Sequence, residues 1–273
     1  AAGVWSVDRA RAIAAARNGR TVRLHLKVDT GMTRLGCDLT DVVELGRLVA
    51  GLDGLEIAGA FSHFASADAV DTSEARAQAS RFESAVDALA AAGIRPALVH
   101  LANSAAVLAA PTAHFTMVRP GIMLYGYPPA PHLAARAGVV PAMRLQTAIA
   151  QLRRVPAGRA VSYAGTFVTT RPSAIGTLPV GYADGYHRLA SNRAAVVVRG
   201  RRAPVAGRVC MDHTMIDVTD VPGAAAGDRV VLFGDGVGAD ELAAWCDTIP
   251  YEVLTAVGRR VPRAYVEDFS HGG

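Results

Sequence analysis

Lysine is almost missing from this chain: of its 28 basic residues only Lys27 is not arginine. Alanine, glycine and valine are abundant, the mark of a GC-rich coding sequence. Under that bias a retained lysine is either a chance survivor or a residue whose task arginine cannot perform. Arginine is permanently charged, whereas a lysine amine can be neutral and reactive. No run of about 18 uninterrupted apolar residues occurs, which excludes a membrane-spanning helix. No basic stretch leads into an apolar segment near the start, which argues against secretion. The basic residues are scattered and the net charge is only +4, so the concentrated stripe of a nucleic-acid-binding protein is absent. The three cysteines, Cys37, Cys210 and Cys246, are odd in number and lack metal-ligand spacing. They fit a reduced cytoplasm, with no metal site and no disulfide framework. At 51% hydrophobic residues over 273 positions, the chain has ample material for a large core, and disorder is excluded.

What is present falls into two patterns. After an opening that reads as the lead-in to a helix, residues 22–29 (VRLHLKVD) alternate as a strand and meet the loop DTGMTRLG. Helical spacing follows over 39–52, then an apolar run at 55–64. A second helical stretch covers 73–92, with Gly93 as its stop. Residues 97–103 and 115–119 (FTMVR) read as further strands. Strand, helix, strand at these intervals predicts βαβ units and a parallel sheet. Polar residues collect where the strands end: Lys27 and Asp29, Ser62 and His63, Asn103 and Ser104, then Arg119. In a parallel α/β fold, and in a (β/α)8 barrel above all, that edge is the active-site edge. Four strands make half of such a barrel, and the other half is expected upstream of Ala1. From about residue 139, short β-rich segments broken by glycine and proline predict a mostly antiparallel domain, with Arg199-Gly200-Arg201 as a hairpin tip. The expected fold class is therefore α/β: the C-terminal half of a (β/α)8-type, TIM-like barrel over residues 1–130, then a β-rich domain over 139–273.

Several residues are candidates for chemistry, each with a plainer reading beside it. Lys27 is either a surface lysine at a glycine turn or a tunable amine. Arg34 is either a solvent ion pair or a planar fork for a carboxylate or phenolate. His63, in FSHFASAD, is either a satisfied core histidine or a stacking and proton-passing group beside Asp68. Asn103 and Ser104 either cap a helix or join Arg119 and the RPGIMLYG backbone in receiving a phosphate. Tyr163, Tyr182 and Tyr186 sit among small residues. A catalytic phenol needs a nearby cation to acidify it. Met211 and Asp212 stand at a turn, and Tyr251 opens a helix-compatible stretch.

Taken in order, KVDTGMTRLG, FSHFASAD, HLANSAA, MVRPGIMLYG, VSYAGTF, IGTLPVGYADGY, VAGRVCMDHTMID and IPYEVLTAVGRRVPR resemble alanine racemases, fold-type III pyridoxal-phosphate enzymes, over residues 4–269. The resemblance implies interconversion of L- and D-alanine, D-alanine for peptidoglycan, pyridoxal 5'-phosphate as cofactor, and a cytoplasmic homodimer with shared active sites. It implies Tyr163 as one of two catalytic bases and Lys27 as an N-carboxylated lysine that holds Arg34. Arg34 would reach the cofactor's phenolic oxygen and the substrate carboxylate. His63 would lie against the pyridine ring and Arg119 would donate to its nitrogen, limiting the spread of negative charge and suppressing transamination. Ser104, Gly121, Ile122 and Tyr251 would hold the phosphate near Asn103. Tyr182 and Met211 would approach the substrate from the partner subunit along with Tyr163, and Asp68, Arg188 and Arg208 would line its corridor. Two departures stand out. The lysine that bears the cofactor in the family has no match, so the chain is expected to be a fragment. Alanine also follows Ser162-Tyr163 where the family usually has glycine. A broad-specificity or serine racemase, or a non-catalytic pyridoxal-phosphate-binding fragment, are the competing readings.

Overall fold

The computed structural model describes residues 2–266. Ala1 and the end of the expected 139–273 domain and 4–269 resemblance, residues 267–273, lie outside the described residues. The chain divides into two compact units, Ala1–Val140 and Pro141–Gly273.

The first unit alternates strand and helix: β1 (Ala2–Val4), α1 (Val7–Ala16), β2 (Val22–Lys27), α2 (Val42–Gly51), β3 (Leu55–Phe61), α3 (Ser73–Ala91), β4 (Leu98–His100) and α4 (Ser104–Ala109), with a single-turn α5 (Ala134–Ala137) near its end. The strands form one parallel sheet in the order β1-β2-β3-β4. Two of the helix ends have a clear local cause. Ser6 accepts the Arg9 amide at the start of α1, with Asp8 in the first turn. At the end of α3, Gly93 takes φ +82° and the Ile94 amide turns back to Leu89. Leu24, Leu26, Val42, Val49, Phe82, Leu89 and Leu101 fill the core between sheet and helices.

Two expectations are corrected here. Residues 115–119 are not a strand. Phe115 turns at φ +48°, and the segment meets β4 and the residues after it through isolated bonds: the Thr116 amide donates to the Val99 carbonyl, the Thr116 hydroxyl accepts the Val99 amide, and the Arg119 amide donates to the Ala102 carbonyl. A 3-10 turn (Pro111–His114) before it and Pro120 after it prevent a regular ladder. The fourth strand is instead β1, three residues in the segment expected only to lead into a helix, and too short to show alternation.

The second unit is built from short strands: β5 (Leu145–Ala148), β6 (Gln151–Val155), β7 (Ala160–Val161), β8 (Phe167–Val168), β9 (Ser173–Leu178), β10 (Ala195–Val198), β11 (Arg201–Pro204), β12 (Thr214–Asp217) and β13 (Arg229–Phe233). They form antiparallel sheets ordered β11-β10-β13-β5 and β12-β9-β6, with β7-β8 as a small ribbon. The β10–β11 hairpin turns on Arg199 and Gly200, both at positive φ, the pair a tight two-residue turn demands. Two helices follow, α6 (Ala239–Trp245) and α7 (Pro250–Ala256).

Candidate active site

At the carboxyl edge of the parallel sheet, side chains from β2, β3, β4 and the loops beyond them meet in one polar cluster. Lys27, the last residue of β2, is buried, and its Nζ stands 4.7 Å from the centre of the Phe61 ring. Burial first, then the positive charges of Arg119 and Arg34, bring its pKa down to about 8 against the opposing pull of Asp29. Asp29 organises the loop after β2: its Oδ1 accepts the amides of Gly31, Met32 and Thr33 at 2.9, 3.0 and 3.1 Å. Burial works against its charge, yet these amides hold the carboxyl below the usual carboxylate range. Gly36 closes the loop at φ +143°, where a Cβ would stand 2.3 Å from the Asp29 amide, so only glycine fits. Arg34 is exposed on this loop, with no hydrogen bond among the described residues, and its charge is felt by Lys27 and His63.

Arg119 is stitched to the ends of β3 and β4. One terminal nitrogen donates to Nδ1 of His100 at 2.5 Å. The other donates to the Ser62 carbonyl at 2.8 Å and, at 3.3 Å each, to the Leu101 carbonyl and His63 Nδ1. All these acceptors are neutral, so its positive charge is left uncompensated. Burial and then Arg119 drive His63 down to about 4 and His100 to about 3, and both imidazoles are neutral at physiological pH. Thr30 and Ser62 bond through their hydroxyls at 2.8 Å, and Gln78 of α3 reaches both Thr30 and the His63 carbonyl, fixing the loop that carries His63.

Asn103 caps α4 by accepting the Ala106 amide, which satisfies the plainer reading of that residue. Ser104 does something else. It is buried, and its Oγ accepts the Gly121 amide at 2.8 Å, drawing the start of α4 to the start of a 3-10 turn at Ile122–Tyr125. Its own hydrogen is left to donate. Gly121 is exposed and a Cβ there would meet nothing within 4 Å, so the backbone lies open to an approaching group. The cluster thus holds Lys27, Arg34 and Arg119, neutral histidines and the hydroxyl of Ser104, with Asp29 turned to its own loop. Such a donor set suits a flat ligand with an anionic arm.

In the second unit Tyr163 and Tyr182 stand on segments bonded to the loop over 207–211. Tyr163 is 70% exposed on a turn whose residues Ser162 and Ala164 have φ +64° and +59°. Ser162 Oγ donates to the Arg208 carbonyl at 2.7 Å. Tyr182 and Ala183 donate their amides to the carbonyls of Cys210 and Met211, and Gly181 permits this approach, since a Cβ would stand 2.2 Å from the Cys210 oxygen. Tyr163, Tyr182 and Met211 are therefore displayed together on this unit, all exposed. Arg208 is half-buried at that loop and Arg188 is exposed. Tyr186 is the exception among the tyrosines: it is fully buried, with its phenol pushed up by burial. Tyr251 is half-exposed in the first turn of α7. In the first unit Asp68 is exposed. Sequence reasoning missed His100, Phe61 and His25, which read as ordinary strand residues. Phe61 and His100 open the FSHFASAD and HLANSAA stretches, which was a signal for them, whereas His25 offered only its place in an alternating strand.

The N-terminal domain model of alanine racemases matches residues 2–129 and their C-terminal domain model residues 142–265. The chain belongs to the alanine racemase family. The alanine racemase of Desulfovibrio desulfuricans is 47% identical over 267 residues, covering 97% of this chain and 72% of that one. That of Symbiobacterium thermophilum is 48% identical over 253 residues, covering 91% and 67%. Among solved structures, the alanine racemase of Streptomyces lavendulae superposes with a TM-score of 0.91 at 38% identity, covering 98% of this chain and 73% of that one. The biosynthetic enzyme of Pseudomonas aeruginosa gives 0.85 at 40%, covering 97% and 73%. The fold is accordingly the alanine racemase fold, a TIM-like barrel domain followed by a β domain. Among the described residues no helix is long and apolar enough to cross a membrane.

Proposed function

We propose that this chain interconverts L- and D-alanine with pyridoxal 5'-phosphate, in the cytoplasm, supplying D-alanine to peptidoglycan synthesis. One observation carries the reading: a cation bound only by neutral acceptors, Arg119, shares a sheet edge with the uncrowded Ser104–Gly121 turn, where the serine hydroxyl keeps its hydrogen for an anion, as a ring with a phosphate arm requires. Pyridoxal phosphate, when bound, supplies electron withdrawal that acidifies the Cα–H of an attached amino acid.

The residues divide the remaining work. Ser104, Ile122 and Gly121 would hold the phosphate, with Asn103 fixing the start of α4, and the resemblance assigns Tyr251 to the same group. Arg119 would direct a donor at the ring nitrogen, where a carboxylate would instead favour protonation. Neutral His63 would lie against the ring. Lys27, as its N-carboxylate, would hold Arg34, and Arg34 would bind the phenolic oxygen and the substrate carboxylate. Tyr163 moves the proton at Cα of L-alanine, and Tyr182 and Met211 shape the space for the methyl group. The exposure of Tyr163 and Met211 supports a homodimer in which one copy lends these residues to the other. The cofactor-bearing lysine of the resemblance has no counterpart among these 273 residues, whose one lysine is Lys27.

The test is racemisation by the full-length gene product, with L-alanine and L-serine in parallel and chiral separation of products. D-alanine formed with pyridoxal phosphate, and faster than D-serine, supports the reading. A preference for serine reassigns the substrate, and no turnover of either overturns the reading.

A further inference from the structure

His25 sits in the middle of β2, outside every motif that carries the resemblance, yet the backbone is shaped around it. The β2–β3 register runs Leu24 to Ile57 and then His25 to Gly59, so Ala58 is an extra residue at this point. A bulge of this kind re-aims the side chain beside it. Gly59 supplies the room, because a Cβ there would stand 2.5 Å from His25 Nδ1. The ring so placed puts Nδ1 2.7 Å from His100 Nε2, with the ring centres 4.9 Å apart. His100 is held flat by Phe61, whose ring stacks on it at 4.9 Å and 13°.

The proton positions along this chain follow from donor arithmetic. Arginine has donors only, so His100 Nδ1 must accept from Arg119. A neutral imidazole then carries its hydrogen on Nε2, which needs an acceptor. His25 Nδ1 is the atom in reach. A protonated or absent His25 would leave the buried His100 free to turn a hydrogen toward the guanidinium, donor against donor.

We propose that His25 is a positioning residue: by accepting from His100 it fixes the tautomer that presents a bare nitrogen to Arg119, and so holds the guanidinium fully charged and oriented. This rests on the reading that Arg119 faces the cofactor's ring nitrogen, and extends it one layer outward.

The experiment is nitrogen NMR of 15N-histidine-labelled full-length protein, with and without pyridoxal phosphate, alongside the cofactor's affinity and absorption spectrum. His100 is expected as the Nε2–H tautomer in both states. His25→Phe keeps a ring but removes the acceptor; mixed His100 tautomers and about tenfold weaker cofactor binding are expected. In His25→Asn the amide oxygen takes the place of Nδ1 and recovers most of that loss. Wild-type His100 found as Nδ1–H, or Phe and Asn variants with the same tautomers and spectra, overturns the proposal. Should the tautomers appear as stated while pyridoxal phosphate does not bind, the His25–His100 ordering stands and the functional reading fails.

Discussion

The Lys27 amine stands 4.7 Å above the Phe61 ring, buried and facing Arg119 and Arg34 across a cluster poor in acids. Its folded-state pKa of about 8 lies below the ordinary lysine value of 10.5. Between those values the unfolded chain holds a proton that the folded chain has released, so stability rises with pH across this window. In buffer freed of carbon dioxide, the urea midpoint should climb from pH 8 to pH 10 more in the parent than in Lys27→Met. A neutral amine also adds to carbon dioxide, forming an N–C bond and releasing one proton. With 13C-bicarbonate a carbamate resonance is expected in the parent and absent from Lys27→Met; no such resonance removes the N-carboxylysine assignment.

Tyr163 is 70% exposed, so its hydroxyl can be removed at little structural cost. Tyr163→Phe should change unfolding free energy by less than about 0.5 kcal/mol, while turnover falls at least about 100-fold. A rate within a few-fold of the parent rules out Tyr163 as a base.

Arg119 donates to His100, His63 and two main-chain carbonyls. Arg119→Glu sets a carboxylate among those acceptors and invites protons to the cluster. Racemisation should fall at least about tenfold, and pyruvate, the transamination product of alanine, should rise relative to D-alanine. An unchanged product ratio argues against a role for Arg119 in suppressing transamination.

Ala164 replaces the glycine usual in the resemblance, and it stands at φ +59°. A left-handed alanine costs about 1–2 kcal/mol, partly offset because glycine loses more entropy on folding. Ala164→Gly should therefore raise stability by about 0.5–1 kcal/mol. Calorimetry that finds a loss shows that neighbouring contacts, and not backbone strain, govern this turn.

The long periodic elements were legible because burial on one face imposes a period. The helices of 42–51 and 73–91 and the strand of 22–27 show it; the strand of 55–61 was legible as an apolar run, and the Arg199-Gly200 turn by its glycine, which positive φ favours. Strand β1 and the irregular path of 115–119 were not legible, because three residues carry no period and a proline-bounded segment resembles a strand in composition.

The amino-acid order alone settled which polar residues terminate the parallel strands and in what succession the family's motifs occur, since both are properties of local pattern. Folding alone decided that His25, seventy-five positions from His100, lies within hydrogen-bond reach of it. That meeting depends on a bulge and a glycine in the neighbouring strand, and side chains joined through strand pairing leave no trace in either segment read by itself.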